Sequence, residues 1–281
     1  MSEVPRVWLI SGCSTGIGRE VAYAALEAGD CVAATARNPD AVADLVEVFP
    51  DRALALALDV TDPAQVREAV SAAESRFGRI DVLVNNAGYG YVSSVEEGID
   101  EDVRRMFDTN FFGAIDLIKA VLPGMRARRA GYVVNMSSIT GFVAMPANVY
   151  YSTSKFALES LSEGLAKELE PFGIRVTAVE PGVFKTDWNA RSMHESPESI
   201  PDYADTVGER RKLLRAGPRD FGGDPKRVGE AVVMLSRMDA PPRNLLLGAD
   251  VLAATRAKLA SLSATIDEWA SYTVEAGETE D

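Results

Sequence analysis

Residues 7–28, VWLISGCSTGIGREVAYAALEA, decide the fold. The apolar run Val7–Ile10 breaks into Ser11-Gly12-Cys13-Ser14-Thr15-Gly16-Ile17-Gly18, and residues 17–28 then carry the apolar period of a helix that stops at Gly29. Strand, glycine-rich turn and helix form the opening unit of a parallel α/β sheet. Gly12 permits a tight turn, Gly16 lets the backbone approach a phosphate, and Gly18 lets the helix pack closely. Ser14, Thr15 and Ile17 complete the loop, and the helix start offers free N–H groups and a positive dipole end to a pyrophosphate. The spacing is G-x-x-x-G-x-G rather than the commoner G-x-G-x-x-G, and glycines in a turn are often only a turn.

Working outward, short apolar runs at 31–36, 53–58, 82–84, 133–136, 174–179 and 245–247 read as further strands. Between them lie helical segments from Asp62-Pro63 to near Gly78, at 103–125, at 149–170, and from about Val251. Strands this apolar, separated by helices, predict a doubly wound parallel sheet, a Rossmann fold, in one domain over residues 1–281. Residues 184–223 interrupt the pattern with Pro197, Pro201, Pro218, Gly208 and Gly217. A long irregular segment in a compact domain reads as a substrate lid. The acidic stretch 275–281 reads as a frayed, flexible tail.

The formal charge is −13, which argues against nucleic acid or an anionic membrane as partner. Two cysteines, Cys13 and Cys31, fit a reducing compartment, and one histidine, His194, makes a histidine-rich metal site improbable. With no basic leader and no apolar run approaching the ~20 residues needed to span a bilayer, the expected place is the cytoplasm.

The chemistry concentrates at residues 135–155. Tyr151 and Lys155 are four apart, which stacks them on one helix face. A free phenol titrates near ~10, and an ammonium beside it is expected to lower that value. Ser138 ends an apolar run and offers a hydroxyl to the substrate oxygen that the tyrosine protonates. Alone, Tyr-x-x-x-Lys is a weak motif. Ala36 and Arg37 end the second strand. An acidic residue there would bind ribose hydroxyls; Ala36 cannot, whereas Arg37 suits a 2′-phosphate, against the alternative of a solvated surface arginine. Asn85-Asn86-Ala87-Gly88 leaves the fourth strand, Pro181-Gly182 ends the sixth with Thr186 soon after, and Asn110 sits mid-helix, where asparagine asks for a reason.

Together these motifs resemble the short-chain dehydrogenase/reductase family, over roughly residues 6–247. Residues 11–18 look like its cofactor loop, with Ser11 where threonine is usual. Asp59 and Val60 match the adenine contacts, and Asn86, Ala87 and Gly88 the sheet-end motif. Asn110, Ser138, Tyr151 and Lys155 match the catalytic tetrad; Pro181, Gly182, Val183 and Thr186 match the nicotinamide segment. Arg37 and the tail 242–262 look most like the hydroxysteroid dehydrogenase-like subgroup. The resemblance implies strand order 3-2-1-4-5-6-7, NADP(H) as cofactor, and a homodimer or homotetramer paired through the two long helices. It implies that Tyr151 transfers the proton, Ser138 polarises the same oxygen, Lys155 lowers the tyrosine pKa and holds the nicotinamide ribose, and Asn110 holds a water leading from Lys155 to solvent.

The expected function is therefore an NADPH-dependent interconversion of a ketone and a secondary alcohol. Phe184, Trp188, Met193, Ile200, Tyr203 and Phe221 in the lid point to a bulky apolar substrate, steroid-, lipid- or polyketide-like, or simply pack the lid down. Arg210, Arg211, Lys212, Arg215 and Arg219 offer a second reading, a 3-oxoacyl-thioester reductase holding carrier phosphates. The commoner outcome for such a run is a solvated face. A non-catalytic NADPH-binding regulator would not need the tetrad, and a sugar-nucleotide epimerase would need more chain after Leu247.

Overall fold

Strand placement follows from the apolar runs. In the computed structural model, which describes residues 4–186, 191–216 and 222–277, seven parallel strands form the main sheet. They are β1 (Val7–Ile10), β2 (Cys31–Ala36), β3 (Ala53–Ala57), β4 (Val82–Asn85), β6 (Gly131–Met136), β7 (Ile174–Pro181) and β9 (Asn244–Leu247), in spatial order β3-β2-β1-β4-β6-β7-β9. Counting these seven along the chain gives the expected 3-2-1-4-5-6-7. Side chains alternate between two cores, as a two-residue period requires. Trp8, Ile10, Val82, Val84, Tyr132 and Val134 face one way; Leu9, Leu83 and Val133 face the other. The first face is covered by α1 (Gly16–Glu27) and α8 (Pro225–Arg237), with Val21, Leu26, Val228 and Val232 buried. The second is covered by α3 (Pro63–Phe77), α5 (Gly113–Arg128) and α6 (Val149–Leu169). The strand order reverses between β1 and β4, and the crevice beyond those strand ends is where such sheets take ligands.

The remaining elements are α2 (Ala43–Val48), α4 (Asp100–Phe107), α7 (Glu209–Arg215) and α9 (Ala249–Glu275), and a small parallel pair, β5 (Gly90–Val92) with β8 (Met193–Glu195). Asp62 starts α3 as its proline signal predicts, accepting from the N–H groups of Ala64 and Gln65.

Three expectations change. The single helix at 103–125 is α4 and α5 joined by a π turn, Asp108–Phe112, with Asn110 buried inside it. A wider turn is the reason the sequence places a poor helix former there; π turns often mark functional sites. The segment 184–223 is structured where described: β8, a 3₁₀ turn at Pro201–Tyr203, a π turn at Ala204–Gly208, and α7. Trp188, Pro218, Arg219 and Phe221 lie outside the described residues. Glu275 closes α9 rather than opening a frayed tail, and residues 278–281 lie outside the description. No described helix is long and apolar enough to cross a membrane.

Candidate active site

The cofactor residues outside α6 lie at or just beyond the C-terminal ends of strands β1, β2, β3, β4 and β7. Gly12 has φ +73°, and a Cβ there would press on Ala87 Cα at 3.0 Å. A Cβ at Gly18 would run into Asn86 Nδ2 and come within 2.5 Å of the Gly12 carbonyl. The loop is clasped to β4. Ser11 Oγ accepts from the N–H groups of Asn86 (2.9 Å) and Ala87 (3.0 Å), while Asn86 Nδ2 donates to the carbonyls of Ser11 and Gly12, both at 3.0 Å. The hydroxyl that serine shares with threonine is thus fully used.

Thr15 caps α1 without a side-chain hydrogen bond, and the first turn holds no acidic residue. Ser14, Gly16 and Ile17 therefore surround a helix start open to an anion. Thr186 is brought beside it, its Cβ 3.7 Å from where a Cβ on Gly16 would lie. Ala36 is buried at the end of β2 and Arg37 is exposed beside it. Leu58 donates to the Ala36 carbonyl (2.9 Å), which brings Asp59 and Val60 alongside that strand end. Pro181 ends β7, the Gly182 N–H donates to Leu247, and the Val183 N–H reaches Asp250 at 3.3 Å. A cradle that admits no side chain, an uncapped helix start and an arginine at its rim fit a phosphorylated dinucleotide.

Across the crevice, α6 presents Tyr151 and Lys155, 7% and 5% exposed. The Ser138 and Thr140 hydroxyls both lie beside the Tyr151 oxygen. Lys155 Nζ donates to the Met136 carbonyl at 2.7 Å and lies 5.8 Å from the Tyr151 ring centroid. The expected lowering of the tyrosine pKa by Lys155 is not what the structure gives. Burial pushes the phenol up to about 12, and the two hydroxyls offset this only in part. Burial also lowers Lys155 to about 8, against the pull of Glu159.

Asn110 is pinned by its whole amide. Oδ1 accepts from the Tyr89 N–H (2.9 Å), and Nδ2 donates to the Tyr89 carbonyl (2.9 Å) and Ser154 Oγ (3.2 Å). Both N–H groups of this amide are thus used while Oδ1 keeps a second lone pair, and the amide holds the Gly88–Tyr89 turn against α6.

Two residues escaped the sequence reading. Glu159 lies one turn after Lys155 on α6, a spacing that was readable; Glu180 precedes Pro181 in β7 and is fully buried. Asn244 Nδ2 bridges them at 3.0 Å and 2.7 Å. Burial raises both carboxyls, and the charge of Glu159 helps raise Glu180 to about 8, so the pair retains one proton at neutral pH. The unfolded chain releases that proton near pH 4.5, so stability should fall as pH rises from there to about 8. Glu180→Gln is expected to remove this fall. Its urea midpoint should match wild type near pH 5 and exceed it at pH 8.5; parallel pH profiles for the two proteins would refute the shared proton.

The lid is locked rather than basic. Glu97, held at about 2, accepts from the N–H groups of Ser199 (2.7 Å) and Ile200 (3.0 Å) and pairs with Arg211 at 3.3 Å, both side chains almost fully buried. Arg215 pairs with Glu195 and Glu198, and Lys212 with Glu209. Arg211, Lys212 and Arg215 are thus paired with carboxylates, against the alternative of an open phosphate site. Met193 and Tyr203 pack with Val92, Ala147 and Val207, and Phe184 packs against the first core, so these three hold the lid to the body. His194 lies against Tyr89, ring centroids 4.9 Å apart.

Residues 6–197 match the family described as short chain dehydrogenase. The chain is 38% identical over 245 residues to a 3-ketodihydrosphingosine reductase of Bacteroides thetaiotaomicron, covering 87% of this chain and 88% of that one. A solved short-chain dehydrogenase from Streptomyces avermitilis superposes with TM-score 0.91 at 41% identity, covering 98% of this chain and 100% of that one. A gluconate 5-dehydrogenase from Burkholderia cenocepacia, solved with NADP and tartrate, superposes with TM-score 0.73 at 27% identity over 88% and 95% of the two chains.

Proposed function

This chain belongs to the short-chain dehydrogenases, oxidoreductases acting on CH–OH groups, and from that membership we propose that it interconverts a bulky apolar ketone and its secondary alcohol with NADP(H). The observation that carries the reaction is the Ser138–Tyr151–Lys155 cluster facing the Gly12–Gly18 cradle across one crevice. Bound in that cradle, NADP(H) would donate or accept the hydride. Gly12, Gly16, Gly18 and Thr186 would hold its diphosphate, Arg37 its 2′-phosphate, Asp59 and Val60 its adenine, and Lys155 its nicotinamide ribose. Asn86, through its clasp, and Gly88 and Val183 would shape the rest of the groove.

Tyr151 passes its proton to the carbonyl oxygen while Ser138 donates a hydrogen bond to the same atom. Burial keeps that proton on the phenol until the substrate oxygen claims it. The ammonium of Lys155 then stabilises the phenolate left behind. In the alcohol-oxidising direction each transfer reverses. General acid catalysis of this kind contributes typically ~10²–10⁴-fold.

The preference for NADPH is supported by Ala36 and Arg37 and by the NADP in the Burkholderia relative. The apolar substrate is supported by the relative named for 3-ketodihydrosphingosine and by the commitment of Arg211, Lys212 and Arg215 to carboxylates. That commitment weakens the carrier-thioester alternative, which needs free cations. The test is a screen of ketones and alcohols, following absorbance of the reduced cofactor at rising ionic strength. An apolar substrate should give kcat/KM nearly independent of salt. Activity confined to acyl-carrier thioesters and lost steeply with salt would overturn this reading.

A further inference from the structure

Behind Lys155 lie two carboxyls that the proposed reaction leaves unused. Lys155 and Glu159 stand one turn apart on the same face of α6, with about 5–6 Å between Cβ atoms at that spacing. Glu180 comes to this face from β7, fully buried, and Asn244 from the exposed start of β9. The Asn244 amide donates to Glu159 Oε2 at 3.0 Å and to Glu180 Oε1 at 2.7 Å. The other two oxygens, Glu159 Oε1 and Glu180 Oε2, are shut from water without a donor among the described residues. Two bare carboxylates cannot sit that way, so one of them carries a proton.

Charge balance accounts for the arrangement. Lys155 is almost fully buried, and an ammonium taken that far from water needs an opposite charge nearby. On α6, Tyr151 does not supply it, because burial keeps the phenol protonated. From β6 comes the neutral carbonyl of Met136. From the π turn comes the neutral amide of Asn110: a Cβ on Gly88 would lie 3.0 Å from Asn110 Oδ1 and 3.7 Å from Lys155 Nζ. Glu163, farther along α6, pairs with Lys167 at the surface. The charge that acts on Lys155 against its burial is that of Glu159. With one proton held between Glu159 and Glu180, the buried group carries one negative charge against one positive.

We propose that Glu159 is the counter-ion of Lys155, a positioning residue that keeps the ammonium charged through the hydride step, with Glu180 and Asn244 holding the carboxylate in place. This rests on the reaction proposed above, in which that ammonium stabilises the Tyr151 phenolate.

The ammonium is present below about 8 and lost above it, so ketone reduction should fall as pH rises through that value. Tyr151, held up at about 12, stays protonated over the same range. Glu159→Gln keeps the volume and the Asn244 bridge and removes the charge. Lys155 should then titrate lower by about one pH unit or more, and the loss of activity should move down with it. Glu180→Gln leaves Glu159 charged, so the Lys155 midpoint should stay near wild type.

NMR titration of protein carrying isotope-labelled lysine measures this without any substrate, the Lys155 signal being the one absent from Lys155→Met. The same Lys155→Met protein gives the reciprocal measurement and needs no Glu159 variant to fold. Without the ammonium, the buried glutamates, followed through labelled carboxyl carbons, should hold their protons to higher pH. An unchanged Lys155 midpoint in Glu159→Gln, an equal shift in Glu180→Gln, or glutamates unmoved in Lys155→Met would each overturn the counter-ion. A Lys155 midpoint that moves as expected, in a protein that turns over no ketone or alcohol, would support the counter-ion and overturn the proposed reaction instead.

Discussion

Tyr151→Phe is expected to keep NADP(H) binding and to lower kcat by about 10²–10⁴-fold. The ring is 7% exposed and packs with Tyr91 and Met106, contacts that phenylalanine preserves. Only the oxygen beside the Ser138 and Thr140 hydroxyls is lost. The packing of the ring is unchanged, so the fold should survive. Fluorescence titration of the reduced cofactor and single-turnover rates measure the two halves separately. A variant retaining more than about a tenth of wild-type kcat would show that Tyr151 is not the acid, given what such an acid contributes.

The second large effect concerns the cofactor. Arg37→Ala should raise KM for NADPH about ten- to hundred-fold and leave NADH nearly unchanged, since a hydrogen bond to a charged group is worth about 1.5–3 kcal/mol. The exposed guanidinium beside buried Ala36 supplies the charge, and Ala36 offers no carboxylate for ribose recognition of NADH in its place. Because the contact is at the surface, the wild-type preference should shrink at high salt. Equal losses for the two cofactors would make Arg37 a bystander.

What the sequence revealed and concealed divides along local and distant terms. The main-sheet strands were visible as apolar runs, and the glycine loop, Ser138, Tyr151 and Lys155 as spacings along one segment. The β5–β8 pair was not, because two three-residue strands about a hundred positions apart carry no periodic signal. Helix α8 was passed over although Asp224-Pro225 announces it, Asp224 capping the Lys226 N–H as Asp62 caps α3. The lid arginines read as a basic cluster because their partners Glu97, Glu195 and Glu198 stand outside that run. The sign of the Tyr151 shift was misread for a related reason: a neighbouring charge shows in the spacing, whereas burial is a property of the folded whole. Glu180 became visible only when Asn244 brought it to Glu159.

The Ser11–Asn86 clasp makes the dinucleotide's seat from bonds within the chain, so the loop is already in its receptive shape before anything binds. Association then requires no coupled ordering of the loop, and its entropy remains available as affinity. Capture should be a single kinetic phase, with a rate linear in cofactor concentration and no slow isomerisation behind it. The heat-capacity change should correspond to the surface the ligand covers and no more, without the larger change that folding upon binding produces.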